Sequence, residues 1–558
     1  MLPLPRDIIK SKIEKALELA KAQGALPLEA VPPVTVEHPA NSQHGDFSTS
    51  LPLRLARATR IAPMDIANIL SELIVADLEV EKAWTAPPGF INFSLKEQWL
   101  QEQVEAVLKA KESFGTLEVR DPQRIMVEFV SVNPTGPVHV GHTRGAVLGS
   151  ALASILEAAG HQVTREYYVN DAGTQMDLFY ASVLARYLQA QGLEAEIPSG
   201  GYQGDYVEAL AKDILAQEGD HFSNMERESA LKEMGHLARE KMVDLIKTDL
   251  QSLGVEFDVW FNEHDLFDSG EYDRVMEQLR QKNFLVHREG ALWFTSSIMG
   301  EEKDNVVVRS SGAPTYFASD IAYHHNKFVE RGFDRVINIW GADHQGHVSR
   351  LKYAVEAMEV DSNQLEIIIS QMVTLKRGAD VVRVSKRTGN FITLRELVDE
   401  VGPDACRYFF LARAPGTQMD FDLELATKES SENPVYYVQY AHARISGILS
   451  NARKEGIDWS MGEVSLLTDP NELALIRKML QLPELVEKSS QTLEPHHLPH
   501  YALELATAFH WFYENCRVLS SDPGHMPLSQ ARLKLVEAAQ LVLAKALTLM
   551  GMSTPERM

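Results

Sequence analysis

Cysteine is scarce in this chain of 558 residues, which contains only Cys406 and Cys516. Two widely separated thiols cannot form a disulfide framework or the clustered ligands of a structural zinc site, and no other set of side chains identifies a metal site. The sequence also lacks a signal-like start and any apolar run near the roughly 20 residues that span a membrane. We therefore expect a cytoplasmic protein without membrane contact.

Positive charge is in deficit as well. Lys and Arg number 54 against 78 Asp and Glu, which gives a net charge of -24. This balance argues against indiscriminate binding to nucleic acid or anionic membranes, although it is compatible with a local basic groove. Internal repeats and low-complexity tracts are absent too, which excludes solenoid and propeller architectures.

The two ends of the chain differ in their patterns. With 45% apolar residues, a chain of this length is expected to fold into two to four domains. Residues 1–112 begin with an amphipathic helix and predict a small mixed α/β domain, which the polar, turn-rich stretch 111–123 separates from the rest of the chain. After about residue 430 strand signals vanish, so 431–558 predict an all-α bundle.

The middle segment, 113–430, alternates strands and helices. "IMVEFVSV", which begins at Ile125, predicts a buried parallel strand, 142–159 a helix and "QVTREYYV" the next strand. Further along, "DRVINIW" runs into "GADHQGH" and a second helix. This alternation predicts an α/β, doubly wound parallel sheet of the Rossmann type, with about 175–305 as a largely helical insertion.

The loop after the first of these strands reads "PTGPVHVGH" and contains His139, Gly141 and His142. No G-x-G-x-x-G or Walker sequence is present, so hydride transfer and P-loop hydrolysis lose support. At a helix N-terminus, two imidazoles can donate hydrogen bonds to a phosphoryl group, and the glycine lets a nucleotide approach the backbone. The alternative is a pair of ordinary capping histidines.

A second stretch, "LKRGADVVRVSKRTGNFITL", is strongly basic. Its cations are Lys376, Arg377, Arg383, Lys386 and Arg387. Flanking glycines suggest a loop that can close, with Lys386 neutralising charge on transferred phosphates. A solvated hairpin is the simpler interpretation, and the phosphate role depends on the histidine motif.

Together these motifs resemble a known family. "HVGH" at 139–142 resembles the HIGH motif of class I aminoacyl-tRNA synthetases, and "RVSKR" at 383–387 resembles their KMSKS loop. "HGDFSTSLPLRLA", "GAPTYFASDIAYHHNKF", "WGADHQGH" and "LMGMSTPERM" are similar to the arginyl-tRNA synthetase family, and the likeness covers essentially the whole chain. Arg383 departs from the pattern, because the family loop begins with lysine. The charge is kept, but the planar guanidinium of arginine replaces the compact ammonium group of lysine.

The resemblance implies a reaction. The family activates L-arginine with ATP to arginyl-adenylate, releases pyrophosphate, and transfers arginine to the 3′-terminal ribose of tRNA(Arg); activation requires the tRNA. The implied catalytic residues are His139, His142 and Lys386, and the implied ATP-binding residues are His139, Gly141, His142, Gly341, Asp343 and Lys386. Magnesium is inferred only from the ATP chemistry, without assigned ligands.

Glu128 is unusual because it lies inside an apolar strand, where a carboxylate is costly unless it is paired. Asp320 is a second acid that the fold could bring nearby, and a guanidinium would satisfy both. The family pattern implies an arginine pocket of Glu128, Asn133, Tyr316, Asp320 and Gln345. The alternative for Glu128 is an internal ion pair with one of the chain's own arginines.

The outer segments resemble tRNA-binding parts of the family. The N-terminal segment is similar to the extension that contacts the tRNA elbow, and 431–558 to the DALR-type anticodon-binding domain. There Tyr436, Tyr440 and Arg444 are candidates for stacking and phosphate contacts, although aromatic residues at this spacing are more often core. We expect a monomer.

Three alternative functions stay open at this point. A cysteine-specific synthetase would need zinc-binding thiolates, which two distant cysteines do not supply. A small-molecule nucleotidyltransferase would leave the C-terminal bundle without a role. A catalytically silent tRNA-binding relative would be expected to have lost the histidines or Lys386. An arginine-dependent aminoacylation assay separates all three from the main hypothesis.

Overall fold

A computed structural model describes residues 4–28, 30–382, 392–520 and 522–558. Arg383, Lys386 and Arg387 of the basic stretch lie outside the described residues. Among the described helices, none is long and apolar enough to cross a membrane.

The N-terminal segment is the predicted α/β unit. Its elements are α1 (Pro5–Ala22), β1 (Phe47–Thr49), α2 (Leu51–Thr59), α3 (Pro63–Leu73), β2 (Val80–Ala86), β3 (Phe90–Leu95) and α4 (Glu97–Ala110). The strands form an antiparallel sheet in the order β1-β3-β2. Ile9 and Ile13 of α1 are fully buried, as the helical spacing of apolar residues predicts.

The middle segment contains both helices and strands throughout its length. In chain order these are β4 (Arg124–Glu128), α5 (Val140–Ala158), β5 (Gln162–Val169), α6 (Thr174–Ala190), α7 (Asp205–Glu218), α8 (Arg227–Ser252), β6 (Val259–Asn262), α9 (His264–Asp268), α10 (Glu271–Gln281), β7 (Leu285–Arg288), β8 (Ala291–Phe294), β9 (Asn305–Val308), α11 (Tyr316–His325), β10 (Arg335–Gly341), α12 (Val348–Ala357), β11 (Leu365–Ser370), β12 (Val373–Arg377), β13 (Asp380–Val381), α13 (Leu394–Val401), α14 (Pro403–Leu411), β14 (Met419–Asp422) and, before the bundle, α15 (Leu423–Thr427).

A five-stranded parallel sheet in the order β11-β10-β4-β5-β6 confirms the doubly wound prediction. Ile125, Met126 and Val127 of β4 are fully buried, which explains the continuous apolar run of this strand. The chain order reverses between β4 and β10, because β5 lies on one side of β4 and β10 on the other. In such sheets the crevice at the carboxyl ends of these two strands binds nucleotides.

The prediction of a largely helical insertion at 175–305 was incomplete. Helices α6, α7 and α8 are present, but β6 belongs to the main sheet and β7, β8 and β9 form a separate antiparallel sheet. The four-residue strands are too short to give a periodic signal. The β7–β8 turn also depends on positive φ at Glu289 (55°) and Gly290 (76°), which a Glu-Gly pair indicates only weakly.

The C-terminal segment is the predicted helical bundle, with α16 (Pro434–Lys454), α17 (Pro470–Met479), α18 (Gln481–Thr492), α19 (His497–Asn515) and α20 (Met526–Leu549). Arg407 of α14 joins it to the middle segment. Its buried guanidinium donates to the carbonyls of Met550 (2.8 Å) and Leu253 (2.7 Å) and to Ser150 Oγ of α5 (3.3 Å). The bundle is therefore fixed directly to the helix that follows β4.

Candidate active site

The two predicted imidazoles lie side by side at the start of α5. His139 is the N-cap residue, and its Nδ1 accepts a hydrogen bond from the Gly141 backbone N–H (3.1 Å). The ring centroids of His139 and His142 are 3.7 Å apart. A Cβ on Gly141 would lie 2.9 Å from Cε1 of His139, so glycine leaves room for that ring.

Both imidazoles are neutral at pH 7. Burial lowers the pKa of His139, and burial together with His139 lowers the pKa of His142 to about 3. Nδ1 of His142 is buried and has no hydrogen-bond partner among the described residues. Each ring therefore offers one N–H, at a helix N-terminus whose dipole already favours an anion.

The backbone brings the end of the basic stretch to the histidine motif. The Val140 N–H donates to the Ile392 carbonyl (3.1 Å), and the Leu394 N–H donates to the Val138 carbonyl (2.7 Å). Residues 392–394 thus run beside the start of α5. The basic stretch that includes Lys386 in its sequence therefore has its C-terminal end next to the two imidazoles.

The first part of the basic stretch forms the hairpin that the simpler interpretation predicted. Strands β12 and β13 pair antiparallel, Lys376 bonds to Asp420 (2.6 Å) and Arg377 to Glu400 (2.5 Å). These two cations therefore have partners within the chain.

Arg144, which the sequence analysis did not single out, holds α5 against the base of this hairpin. It is fully buried, and its guanidinium donates to the carbonyls of Gln371 (3.1 Å), Thr417 (2.7 Å) and Ala414 (2.8 Å). Burial lowers its pKa to about 10, so the charge persists at pH 7. The planar fork of arginine, with five donors, bridges these segments better than a lysine ammonium would, and a basic residue inside a buried helix is the signal that could have revealed this role.

Acidic side chains collect at the carboxyl ends of three adjacent strands. Glu128 ends β4, Asp171 follows β5 and Glu263 follows β6. Two of these have a cation of their own: Lys327 Nζ lies 2.5 Å from Glu128 Oε2, and Arg239 Nη1 lies 2.7 Å from Asp171 Oδ2. Glu128 thus has an internal ion-pair partner, but this partner is a lysine and not one of the chain's arginines, which the alternative interpretation had predicted.

Asp320 of α11 and Glu263 have no ion-pair partner within 4.0 Å in the part of the chain that the structure describes. Burial, followed by the charges of Glu128 and Glu263, raises the pKa of Asp320 to about 7. Burial likewise raises the pKa of Glu263. The pocket therefore contains two carboxyl groups that a ligand cation would stabilise.

Sequence reasoning missed Glu263. Its only local signal is an acid directly after a four-residue apolar strand, in "VWFNEHD". Such a strand is too short to be recognised without the sheet that contains it.

The other predicted pocket residues lie on the same edge of the sheet. Tyr316 begins α11 with half of its surface exposed, and burial, followed by the charge of Glu263, raises its pKa. Asn133 follows β4, and its Nδ2 donates to Gln175 Oε1 (2.5 Å). Gln345 lies in the 3-10 helix Ala342–His347 after β10. Direct contact of these residues with arginine stays a prediction.

The predicted ATP residues after β10 also lie at this edge. Gly341 ends the strand, and a Cβ there would lie 2.6 Å from Asp343 Oδ1. A side chain at this position would displace the exposed Asp343 carboxylate. The roles of Gly341 and Asp343 toward ATP stay predictions.

Three family descriptions match the chain in order. Residues 7–95 match the arginyl tRNA synthetase N terminal domain, 103–409 the class I (R) tRNA synthetase catalytic domain and 438–558 the DALR anticodon binding domain. The chain belongs to the arginyl-tRNA synthetase family. It therefore catalyses the aminoacylation of tRNA with arginine, using ATP.

Whole-chain relatives agree with this membership. Arginine–tRNA ligase of Dehalococcoides mccartyi is 52% identical over 99% of both chains, and that of Caldanaerobacter subterraneus subsp. tengcongensis is 44% identical over 99% of both. The fold of this synthetase is similar to Thermus thermophilus arginyl-tRNA synthetase, with a TM-score of 0.77, 24% identity and coverage of 99% and 100%. It is also similar to the Plasmodium falciparum enzyme, with a TM-score of 0.78, 17% identity and full coverage of both chains.

The candidate tRNA residues of the synthetase form one aromatic surface on its bundle. The rings of Tyr436 and Tyr440 stack with centroids 6.0 Å apart and an 8° angle between planes. Arg444 lies over the rings of Tyr440 (4.7 Å) and Tyr513 (4.9 Å). Trp511 is 60% exposed on α19. His442 of the same helix as the tyrosine pair is buried, and its Nδ1 donates to the Pro555 carbonyl (2.9 Å), so it belongs to the core of the bundle.

Proposed function

We propose that this synthetase binds the side chain of arginine in the acidic pocket and ATP at the adjacent histidine pair, at the carboxyl ends of β4 and β10. The observation that carries the proposal is a pair of carboxyl groups, the buried Glu263 and the partly buried Asp320, that have no cation within ion-pair distance among the described residues. A guanidinium is planar and always charged, and two carboxylates suit it better than they suit a neutral side chain. We also place Glu128, Asn133, Tyr316 and Gln345 in this pocket.

The activation step follows from this placement. A carboxylate oxygen of arginine attacks the α-phosphorus of ATP in line, an O–P bond forms, the bond to the bridging oxygen breaks, and pyrophosphate leaves. Neutral His139 and His142 donate N–H bonds to oxygens on which negative charge grows. Lys386 supplies a cation from the loop that ends beside them, and Gly341 with Asp343 lies toward the nucleoside. In the second step the tRNA 3′-terminal ribose hydroxyl attacks the arginyl carbonyl and AMP leaves.

We assign Mg2+ to the phosphates of ATP and not to a side-chain site. Among the described residues, two groups could hold an ion, Glu271 with His325 and Glu330, and Glu494 with His496 and His497. Neither group includes a residue of the proposed ATP site.

For tRNA we propose that residues 1–112 contact the elbow and 431–558 the anticodon, with 113–430 as the catalytic domain. Tyr436, Tyr440 and Arg444 present stacked rings and a guanidinium, which suit unpaired bases and phosphates. We also propose a cytoplasmic monomer, and the two buried, unpaired cysteines suit a reducing compartment.

Asp320→Asn tests the pocket. The amide keeps the shape but loses a charge-assisted hydrogen bond, of which a loss of about 1.5–3 kcal/mol is typical, so arginine binding should weaken by roughly tenfold to more than a hundredfold. ATP binding should change little. Titration calorimetry with each ligand measures both. Asp249→Asn, a buried aspartate of α8 beside Arg395, is the matched control. Equal losses for arginine and ATP would indicate a structural role and refute the assignment.

Arginine affinity should also depend on pH. Burial, Glu128 and Glu263 raise the pKa of Asp320 to about 7, while Arg350 and Lys327 oppose them. Below this pKa the free carboxyl group is protonated, and a bound guanidinium favours the ionised form, so binding must release a proton. Affinity should therefore be highest above about pH 7 and fall by about tenfold per unit below it.

Calorimetry at about pH 6 and about pH 8, in two buffers with different heats of ionisation, counts this proton. Asp320→Asn should show a flat profile. His142 does not titrate in this range, because burial and the neighbouring His139 lower its pKa to about 3. Equal affinity of the unaltered synthetase at both pH values would contradict the proposed role of Asp320.

A further inference from the structure

Glu271, the first residue of α10, is a buried carboxylate with no lysine or arginine within ion-pair distance among the described residues. Its two oxygens have protein partners. Nδ1 of the buried His325 lies 3.1 Å from Oε1, and Asn326 Nδ2 donates to Oε2 (2.8 Å). Burial of a carboxylate is costly unless a positive charge compensates it, and the imidazole of His325 can supply that charge only in its protonated form. A bound cation would compensate Glu271 directly.

A π-helical turn brings a second carboxylate to this place. Residues Asn326–Glu330 continue α11 as a π-helix, in which the Arg331 N–H donates to the Asn326 carbonyl five residues earlier (2.9 Å). His325 and Glu330 are also five residues apart. On an α-helix this spacing would turn them about 140° away from each other, but on a wider turn they share one face. One ligand atom from each of Glu271, His325 and Glu330 lies within 4.8 Å of the others.

An unsatisfied oxygen lies at the edge of this group. Asn326 Oδ1 is buried and has no hydrogen-bond partner among the described residues. The nitrogen of the same amide is bound to Glu271, so the oxygen is held close to the cluster. A buried carbonyl oxygen without a donor is costly, and an ion is one of the few groups that can satisfy it. This oxygen points to a cation independently of the charges of the two glutamates.

The donor set indicates the kind of ion. An imidazole nitrogen favours a transition metal over Mg2+ or Ca2+, and two carboxylates neutralise a divalent charge. Ligand atoms around a tetrahedral Zn2+ lie roughly 3.3 Å apart, given bonds of about 2.0 Å. Closure onto an ion therefore requires a small movement, which the exposed Glu330 can make. The neighbouring cations Lys327 and Arg331 have carboxylate partners of their own.

We propose that Glu271, His325 and Glu330 bind one divalent transition-metal ion, with Zn2+ as the best-suited ion and Asn326 Oδ1 as a further oxygen ligand. The ion would join the start of α10 to the end of α11 and would stabilise the folded protein, since it binds only where the fold assembles its ligands. This site is separate from the Mg2+ that accompanies ATP. No local spacing indicates it, because Glu271 lies far from His325 in the sequence.

The experiment titrates Zn2+ alone into the full-length protein, which is prepared without a histidine tag, stripped with EDTA and kept in excess Mg2+. Calorimetry should show one tight site per chain, and Zn2+ should raise the unfolding temperature. Glu330→Gln should weaken this site by at least about tenfold, because even the partners of metal ligands contribute that much, and should abolish the rise in unfolding temperature. Glu271→Gln and His325→Ala should do the same.

Glu494→Gln and His497→Ala are the matched controls. These residues form the other histidine–glutamate group, in which His497 Nε2 lies 3.3 Å from Glu494 Oε2. That group contains a single carboxylate, which leaves a divalent ion only half compensated. Both control variants should bind Zn2+ as tightly as the unaltered protein.

The proposal is wrong if Zn2+ binds the unaltered protein no more tightly than about 1 mM, since His325 then compensates Glu271 as a protonated ring. It is equally wrong if the control variants lose the site while Glu330→Gln keeps it. Should Glu271→Gln or His325→Ala fail to fold, Glu330→Gln decides alone, because that side chain is exposed and has no listed role in the core. Neither result depends on the proposed arginine pocket.

Discussion

His142→Ala is expected to lower the rate of arginyl-adenylate formation by about a hundredfold to a thousandfold and to leave the fold intact, because one preorganised donor to a developing charge typically contributes that much. The loss should fall on the rate and not on ATP affinity, since a neutral imidazole binds a ground-state phosphate only weakly. The pKa of His142, lowered to about 3, keeps the ring neutral throughout the assay range. Single-turnover measurement with arginine, ATP and tRNA gives the rate.

His161→Ala is the matched control for this variant. His161 lies beyond the other end of α5, where its Nδ1 accepts from the Gln123 backbone N–H (3.3 Å), and its ring is likewise neutral because burial lowers its pKa. Removal of that ring should leave adenylate formation near its original rate. Lys386→Ala should resemble His142→Ala, since both groups are proposed to act on the same phosphates. Wild-type rates in His142→Ala and Lys386→Ala would refute the catalytic assignment.

The parallel sheet could be predicted from the sequence because buried parallel strands have nearly continuous apolar sequences. It overestimated β4, which ends at Glu128 and does not continue through "FVSV". Val130 (φ 69°) and Ser131 (φ 44°) leave the strand in left-handed conformations. Tertiary hydrogen bonds hold them there, among them Tyr167 Oη to the Val132 carbonyl (2.8 Å) and the Tyr168 N–H to Ser131 Oγ (3.1 Å). No local pattern could indicate such contacts.

The same limit applies to the candidate site. Glu128 could be recognised because a carboxylate in an apolar strand requires a partner, but that partner is a lysine on a π-helical turn far along the chain. Glu263 had no such signal, since its strand has only four residues. The sequence could therefore indicate that a residue such as Glu128 is unusual, but it could not predict which charged residues form pairs in the folded protein.

Exchange of pyrophosphate into ATP should be nearly absent without tRNA and should appear when tRNA(Arg) is added. Hydrogen bonds connect the C-terminal bundle to the helix that carries the histidine pair. Arg407 bonds to the Met550 carbonyl at the end of α20 and to Ser150 of α5, the helix that begins at the histidine pair. A tRNA that binds the bundle can therefore act on α5, provided that it binds one arrangement of the catalytic site better than another.

The tRNA surface can be tested in the same assay. Arg444→Ala and Tyr440→Ala remove one guanidinium and one ring of the stacked surface on α16, so half-maximal exchange should need roughly tenfold or more tRNA, as a loss of about 1–3 kcal/mol per stacked base suggests. Lys454→Ala, at the opposite end of α16, is the control. Because the net charge is -24, we expect tRNA binding to depend on a local surface such as this one and not on bulk charge. Deletion of the bundle would be a poorer test, since it would leave the buried Arg407 without the Met550 carbonyl. Full exchange activity in RNA-free protein would refute the coupling, while the arginine pocket and the family membership would be unaffected.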